Sequence, residues 1–507
     1  MNSKPNNRIA KNTMYLYLRM LVTMSISLYT SRIVLDVLGA QDFGLYVVIG
    51  GLVASITFFS TSLQSGLQRF LAYSLGKKDY KRYNEVFNVG IVLYIFVVLL
   101  IAIFCETVGL WYVNNKLTIS SGREEVAVIV FHFSVLSVCA SVMRIPYDAG
   151  ILAQEKMKFF AYLSIFESLL KLIIVNLLLV GDFDKLILYS FLIFTLTIFT
   201  NLVFMVYCKL DSRNLYKFSI SKNKALYFEL FSFTNWRLLE ASAQIAQKDG
   251  VALLLNNFFG LLVNAANGIA MQISIAVNGL VFSFQQAFMP QITKNYASGD
   301  FIALESLSKR AAKFSFLLLT FFAIPLILNM EYVLGIWLVS SPEFAAQFSI
   351  LILINMLIDS FNGPLWMIIL ATGRIAFYQI FLASLIFISI ICDYFLLKNG
   401  YPAITVFYVL LATTFITIFY RLLLLRLYYG ILISNFIRDV ILKPVLLVLL
   451  IFFMINIFSA DYDSFTRLTF SLIVTFSIYP ILIFLFILDN EEKEMLKKSY
   501  FKFFHEN

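Results

Sequence analysis

The chain has 507 residues, 60% of them hydrophobic and only 14% charged, with a formal net charge of +9. A soluble globular protein carries about a quarter of its residues as charge, so a fully water-covered surface is excluded, in line with a mean hydropathy of +0.85. In so apolar a chain the basic excess reads as topology rather than as nucleic-acid binding, because Lys and Arg of membrane proteins stay on the cytoplasmic side.

Apolar blocks of about 18–25 residues recur along the chain, the length a helix needs to cross about 30 Å of hydrocarbon. Lipid offers the backbone no hydrogen bonds, so these blocks are predicted to be helices. They lack the alternation of a transmembrane barrel. Met1 to Lys11 is polar and basic and runs straight into a long apolar block, which reads as a retained first span rather than a signal peptide. In chain order the predicted spans are 12–35, 43–68, 84–106, 126–146, 158–180, 185–208, 226–257, 263–291, 311–337, 344–371, 376–397, 402–426, 436–458 and 466–488.

With a cytoplasmic N-terminus, the inner segments hold 28 of the 39 Lys and Arg and the outer loops five, leaving six inside spans. A wrong count would scramble that asymmetry, so both termini are expected inside. The outer segment 107–125 is the largest, too small for a soluble domain. The expected fold is therefore all-α: a polytopic membrane protein of about fourteen transmembrane helices, two parallel six-helix repeats plus two extra C-terminal helices. The expected domains are an N-terminal six-helix lobe at 1–208, a cytoplasmic linker at 209–225, a C-terminal six-helix lobe at 226–430, and the last two helices with a cytoplasmic tail at 431–507.

The repeat comes from a shift of 221 residues. It lays Gly39 on Gly260, Gln64 on Gln285 and Asp79 on Asp300, and it superposes spans 1 and 2 on spans 7 and 8. Six helices per unit leave both units in the same orientation. Parallel repeats of this kind are a transporter architecture with the substrate site between the halves.

Charged and polar residues inside spans are costly and usually face an interior or aqueous cavity. Span 7 carries Arg237, Glu240, Gln244 and Lys248 within an arc of about 80°. Span 1 carries Asn12, Arg19, Thr23, Ser27 and Thr30 on a similar arc, and the shift brings Arg19 onto Glu240, Thr23 onto Gln244 and Ser27 onto Lys248. The two stripes are expected to line a central cavity. Span 8 adds Asn264, Asn267, Asn278 and Gln285 on one face, whose counterparts in span 2 under the same shift are Tyr46, Thr57 and Gln64, with Phe43 apolar. The blander readings are snorkelling of Arg19 and Lys248, a local Arg32–Asp36 pair, and a partnership of Glu240 with Arg19 or Arg237.

Glu167 and Lys171 read as a local i, i+4 ion pair. Asp359 and Asn362, beside Gly363-Pro364, read as a kink with an ionisable group, and Asp359 and Asp249 are the candidates for ion coupling. The four cysteines are scattered without metal spacing and read as small buried hydrophobes. With only two histidines, His132 and His505, no metal site is expected. No phosphate-binding loop, nucleophile elbow or dinucleotide turn occurs, so neither an enzyme nor a cofactor is expected.

The opening Arg8-Ile9-Ala10-Lys11-Asn12-Thr13, the run Ser31-Arg32-Ile33-Val34-Leu35 with Leu38-Gly39-Ala40-Gln41-Asp42-Phe43-Gly44-Leu45-Tyr46, and Gly76-Lys77-Lys78-Asp79-Tyr80 carry a resemblance. They resemble the polysaccharide flippase (Wzx-like, O-antigen) branch of the multidrug/oligosaccharidyl-lipid/polysaccharide exporter superfamily. The resemblance covers nearly the whole chain. It implies a bacterial inner-membrane flippase that turns undecaprenyl-pyrophosphate-linked oligosaccharide from the cytoplasmic to the periplasmic leaflet by alternating access. Its partners would be that lipid-linked oligosaccharide, membrane lipids, and a glycan polymerase or ligase of the same pathway, with no nucleic acid. Arg19, Arg237 and Lys248 suit a pyrophosphate; Glu240 departs from an anion site unless an arginine pairs with it. The alternatives are a cation-coupled multidrug exporter of the same superfamily, a lipid II flippase and, from another class, a membrane glycan polymerase or ligase.

Overall fold

The computed structural model describes residues 3–115, 117, 122–178, 183–211, 215–217, 219, 221–338, 342–429, 433–459 and 461–494. The side chains of residues 1–10, of Leu261 and of many positions between 28 and 63 lie outside the description, and with them the expected Arg32–Asp36 pair and Thr57. Among the described residues all regular structure is helical. The principal helices are α1 (Ser3–Gly76), α2 (Tyr80–Phe104), α3 (Glu124–Ala153), α4 (Met157–Leu177), α5 (Lys185–Asp211), α6 (Lys224–Phe259), α7 (Leu261–Gln286), α8 (Met289–Ser298) and α9 (Phe301–Leu328). There follow α10 (Met330–Trp337), α11 (Ala345–Asp359), α12 (Asn362–Thr372), α13 (Ala376–Lys398), α14 (Thr405–Tyr429), α15 (Lys443–Phe458) and α16 (Ser464–Ile473).

Among the described residues, ten helices are long and apolar enough to cross a membrane, or eleven if the bent pair α11–α12 counts as one span. The chain is a multi-pass membrane protein. The three other expected spans, 12–35, 43–68 and 226–257, fall in α1 and α6 and are not among those ten or eleven. For α6 the cause is plain: Arg237, Glu240, Lys248 and Asp249 crowd its middle.

The positions matched by the 221-residue shift share backbone behaviour. Gly39 breaks α1 at φ 77°, ψ 165°, and Gly260 separates α6 from α7 at φ 81°, ψ −172°. That region is open in practice to glycine alone, so each glycine sets the turn between consecutive spans. Next, Lys78 and Gly299 both take positive φ. Asp79 and Asp300 then each cap a helix, accepting from the backbone N–H of Arg82 at 2.9 Å and of Ala303 at 3.0 Å.

The chain divides into two compact units, Met14–Ala241 and Met1–Thr13 with Ser242–Asn507. In the first, α3 packs on α5 and α2. α3 runs through Pro146 to Ala153, although the missing proline N–H leaves the Val142 carbonyl without its usual partner. Asn201 of α5 donates to the Ala140 carbonyl at 2.7 Å and ties the two helices together. The connection ahead of α6 is anchored on α2: Asn84 and Asn88 donate to the Lys217 carbonyl at 2.8 and 2.9 Å, and Ser219 N–H donates back to Asn88 at 3.1 Å.

In the second unit α9 is the central helix, packed by α7, α11, α12 and α15. The bend of 46° between α11 and α12 frees backbone carbonyls that lipid could not satisfy. Gln285 donates to the Ser360 carbonyl at 3.1 Å, and Arg421 to the Asn362 carbonyl at 3.0 Å while also reaching the Tyr378 hydroxyl at 2.7 Å. Past α16, Lys313 of α9 pairs with buried Glu492 at 2.6 Å, and Glu492 accepts from the Asp489 N–H at 2.9 Å as a capping residue.

Candidate functional site

The strongest concentration of charge inside the apolar part of the first unit is built by α1, α3, α4 and α5. On α3, Arg144 and Asp148 stand one turn apart and share a face, and Arg144 Nε donates to Asp148 Oδ2 at 3.2 Å. The same guanidinium reaches Glu167 Oε2 on α4 at 3.4 Å. Lys171 meets the other Glu167 oxygen at 3.0 Å. Arg144 also lies 5.2 Å over the Phe204 ring of α5, and Arg19 of α1 lies 4.9 Å over the Phe160 ring of α4. Part-buried cations on aromatic faces gain about 0.5–2 kcal/mol each, a partial offset to the cost of taking charge out of water.

The cluster is unbalanced: three cations, Arg19, Arg144 and Lys171, face two carboxylates. Arg19 forms no ion pair among the described residues, and its buried Nε has no hydrogen-bond partner. Asp148 is only 7% exposed, and its Oδ1 likewise has no partner. An unfilled donor and an unfilled acceptor within one charged cluster are what a site shows when it exchanges an ion or a polar ligand.

The other expected site residues fall as follows. Thr23 turns its hydroxyl back to the Met20 carbonyl at 3.2 Å, and Ser27 is exposed. Arg237 and Glu240 are both buried and paired with each other, which neutralises the carboxylate that sat badly in an anion site. In the second unit Gln244, Lys248, Asp249 and Asn278 are exposed and Asn267 is buried. Gln285 is spent on Ser315 and on the α11–α12 bend, and exposed Asp359 accepts from Asn362 at 2.9 Å.

Arg144 and Arg421, counted from the sequence among the 28 inner-segment cations, lie within α3 and α14. Glu167 and Lys171 do form their pair, but Arg144 joins it to Asp148. Of the cysteines, Cys105 and Cys208 are buried, Cys139 is half-buried, and Cys392 is exposed on an outer face of α13.

An apolar cavity of about 300 Å³ also opens between α2 and the first half of α6, lined by Gly90, Tyr94, Leu100, Phe231, Asn235 and Leu238. The Arg82–Glu229 pair, 3.2 Å apart, bridges the same two helices beside it.

Residues 16–177 match the family model described as MatE. No curated protein matches the chain. Among solved structures, a MATE in complex with MaL6 superposes with a TM-score of 0.71 at 11% identity, covering 83% of this chain and 96% of its own. An outward-facing multidrug resistance MATE family transporter of the MOP superfamily gives 0.71 at 12% identity, with 83% and 95% coverage. A MOP superfamily transporter from Pyrococcus furiosus, with a binding pocket of reverse polarity, gives 0.68 at 12% identity, with 85% and 96% coverage. The chain has the fold of the MATE transporters.

Proposed function

We propose that this chain is a transporter of the MATE type, resident in a bacterial inner membrane with both termini cytoplasmic, that moves a substrate with an anionic head group by alternating access. The observation that carries the reading is the excess of one cation in the cluster of the first unit, with the Arg19 Nε left open. A guanidinium without a carboxylate partner suits a phosphate or pyrophosphate, which it can meet with two N–H groups at once. The resemblance of the opening residues to polysaccharide flippases, together with the apolar cavity between α2 and α6, supports lipid-linked oligosaccharide as the substrate. The head group would meet the basic site while the tail stays in an apolar environment.

The second reading is a cation-coupled multidrug exporter. The family match and the solved MATE structures support it at least as well as they support a flippase. In that case the carboxylates Asp148 and Glu167 carry the chemistry, and the arginines serve to hold them.

The test is Arg19→Ala in a strain that depends on the protein for its surface glycan. A lost charge-assisted hydrogen bond of about 1.5–3 kcal/mol should lower transport about ten- to a hundredfold with membrane insertion intact. Unchanged glycan from an inserted Arg19→Ala protein rules out an anion at this site.

A further inference from the structure

One buried carboxyl outside that cluster, in the other unit, is without the ion pair that Glu240 and Glu492 have. Asp393 sits near the last turn of α13, 2% exposed, on the face that also buries Gln379, Ser389 and Leu397. Among the described residues its Oδ1 has no hydrogen-bond partner, and no ion pair or hydrogen bond forms at the side chain. We infer that Asp393 is a proton-binding site of the second unit, carrying its proton as a neutral carboxylic acid in the conformation seen here.

An ionised carboxylate taken out of water without a partner is too costly to persist, and the group gives up its charge instead. Two ways of keeping the charge are closed by the neighbours. The first is a nearby cation. On α13 itself, Lys398 is exposed at the outer end, and Cys392 and Tyr394 face outward. α6, which meets α13 where Gln247 donates to Ser389 at 3.2 Å, brings Lys248 and Asp249, both exposed. α14 brings Arg421, engaged by Tyr378, 15 positions back along α13 and so about 22 Å away at 1.5 Å per residue. Tyr408 of α14 is exposed.

The second is a bound metal ion. Sodium, calcium and magnesium take several oxygens at once. Ser389, one turn before Asp393, already donates to the Ile386 carbonyl at 2.7 Å and accepts from Gln247. No group of three or more His, Cys, Asp or Glu among the described residues is placed for a metal. A single proton meets the need of a lone carboxyl.

The inference extends the transporter reading: a proton bound in this unit is available to be exchanged during turnover. Its test does not depend on transport. Infrared pH-difference spectra of the full-length protein in nanodiscs should contain a protonated-carboxyl C=O band, equivalent to one group per chain. That band should vanish on alkalinisation and be missing from Asp393→Asn, while Asp359→Asn retains it. Asp393→Glu, which keeps the acid should the amide variant fold poorly, should retain a shifted band. Identical wild-type and Asp393→Asn spectra mean the group is ionised and overturn the inference. A band that stays through the alkaline range shows a permanent structural acid and overturns it as well. If the inference holds but transport is unaffected in Asp393→Asn, the coupling role fails while the proton site stands.

Discussion

Arg144 is the keystone of the charged cluster, and its replacement by Leu gives a prediction that the geometry sizes. The side chain is 23% exposed and serves two carboxylates that are themselves 9% and 22% exposed. Glu167 would keep Lys171, but Asp148 would lose the one ion pair it forms among the described residues. Breaking a buried pair by removing one partner costs about 3–5 kcal/mol. Lys171, 45% exposed, belongs to the class of surface pairs worth about 0–1 kcal/mol. Arg144→Leu should therefore destabilise the protein by at least about 2 kcal/mol more than Lys171→Leu, measured by thermal unfolding in detergent. The double variant Arg144→Leu/Asp148→Asn should recover much of the loss, because the orphaned carboxylate is gone. Equal losses from the two single variants, or no recovery in the double, would refute the view that Arg144 compensates Asp148.

Two further expectations follow from the same reasoning. A Cβ at Gly363 would lie 2.1 Å from Gln285 Oε1, so Gly363→Ala should expel the amide from the α11–α12 bend and strand the Ser360 carbonyl. The expected cost is about 1–3 kcal/mol in thermal unfolding, with Gln285→Ala adding little on top of it. Elsewhere in the first unit, Arg123 bridges Asp42 and Asp184. Partial burial works against the Asp184 charge, but the Ile187 and Leu186 N–H groups and the Arg123 guanidinium outweigh it and hold its carboxyl below the usual range. Its contribution to stability is then full at neutral pH and is lost as pH falls through about 4 toward the lower folded value. Unfolding profiles from neutral to acid should show Asp184→Asn with a flatter acid limb than wild type; parallel limbs would contradict the assignment.

The helical membrane fold was legible because apolar block length reports directly on the bilayer. The backbone behaviour shared by Gly39 and Gly260, where only glycine fits, and by the helix-capping Asp79 and Asp300 was legible from the 221-residue shift. The charged cluster was not. Arg144 falls at the end of the expected span 126–146 and Asp148 just past it, so neither reads from the sequence as part of a charged cluster. Joining them to Glu167 and Lys171 takes the approach of α3 and α4, which has no local sequence signature. Asp393 escaped notice because one acid near the end of an apolar block resembles an interfacial residue; its burial is settled by neighbouring helices. Glu240 was ambiguous between two arginines, and only the fold gives it to Arg237.

The central claim is that the protein moves an anionic, lipid-linked glycan. The most direct measurement is surface polysaccharide in a strain lacking the protein, together with its pool of carrier-linked oligosaccharide. The account predicts loss of surface glycan with carrier-linked oligosaccharide accumulating in the inner leaflet. Unchanged glycan with heightened sensitivity to cationic drugs would contradict it and give the chain to the exporter reading.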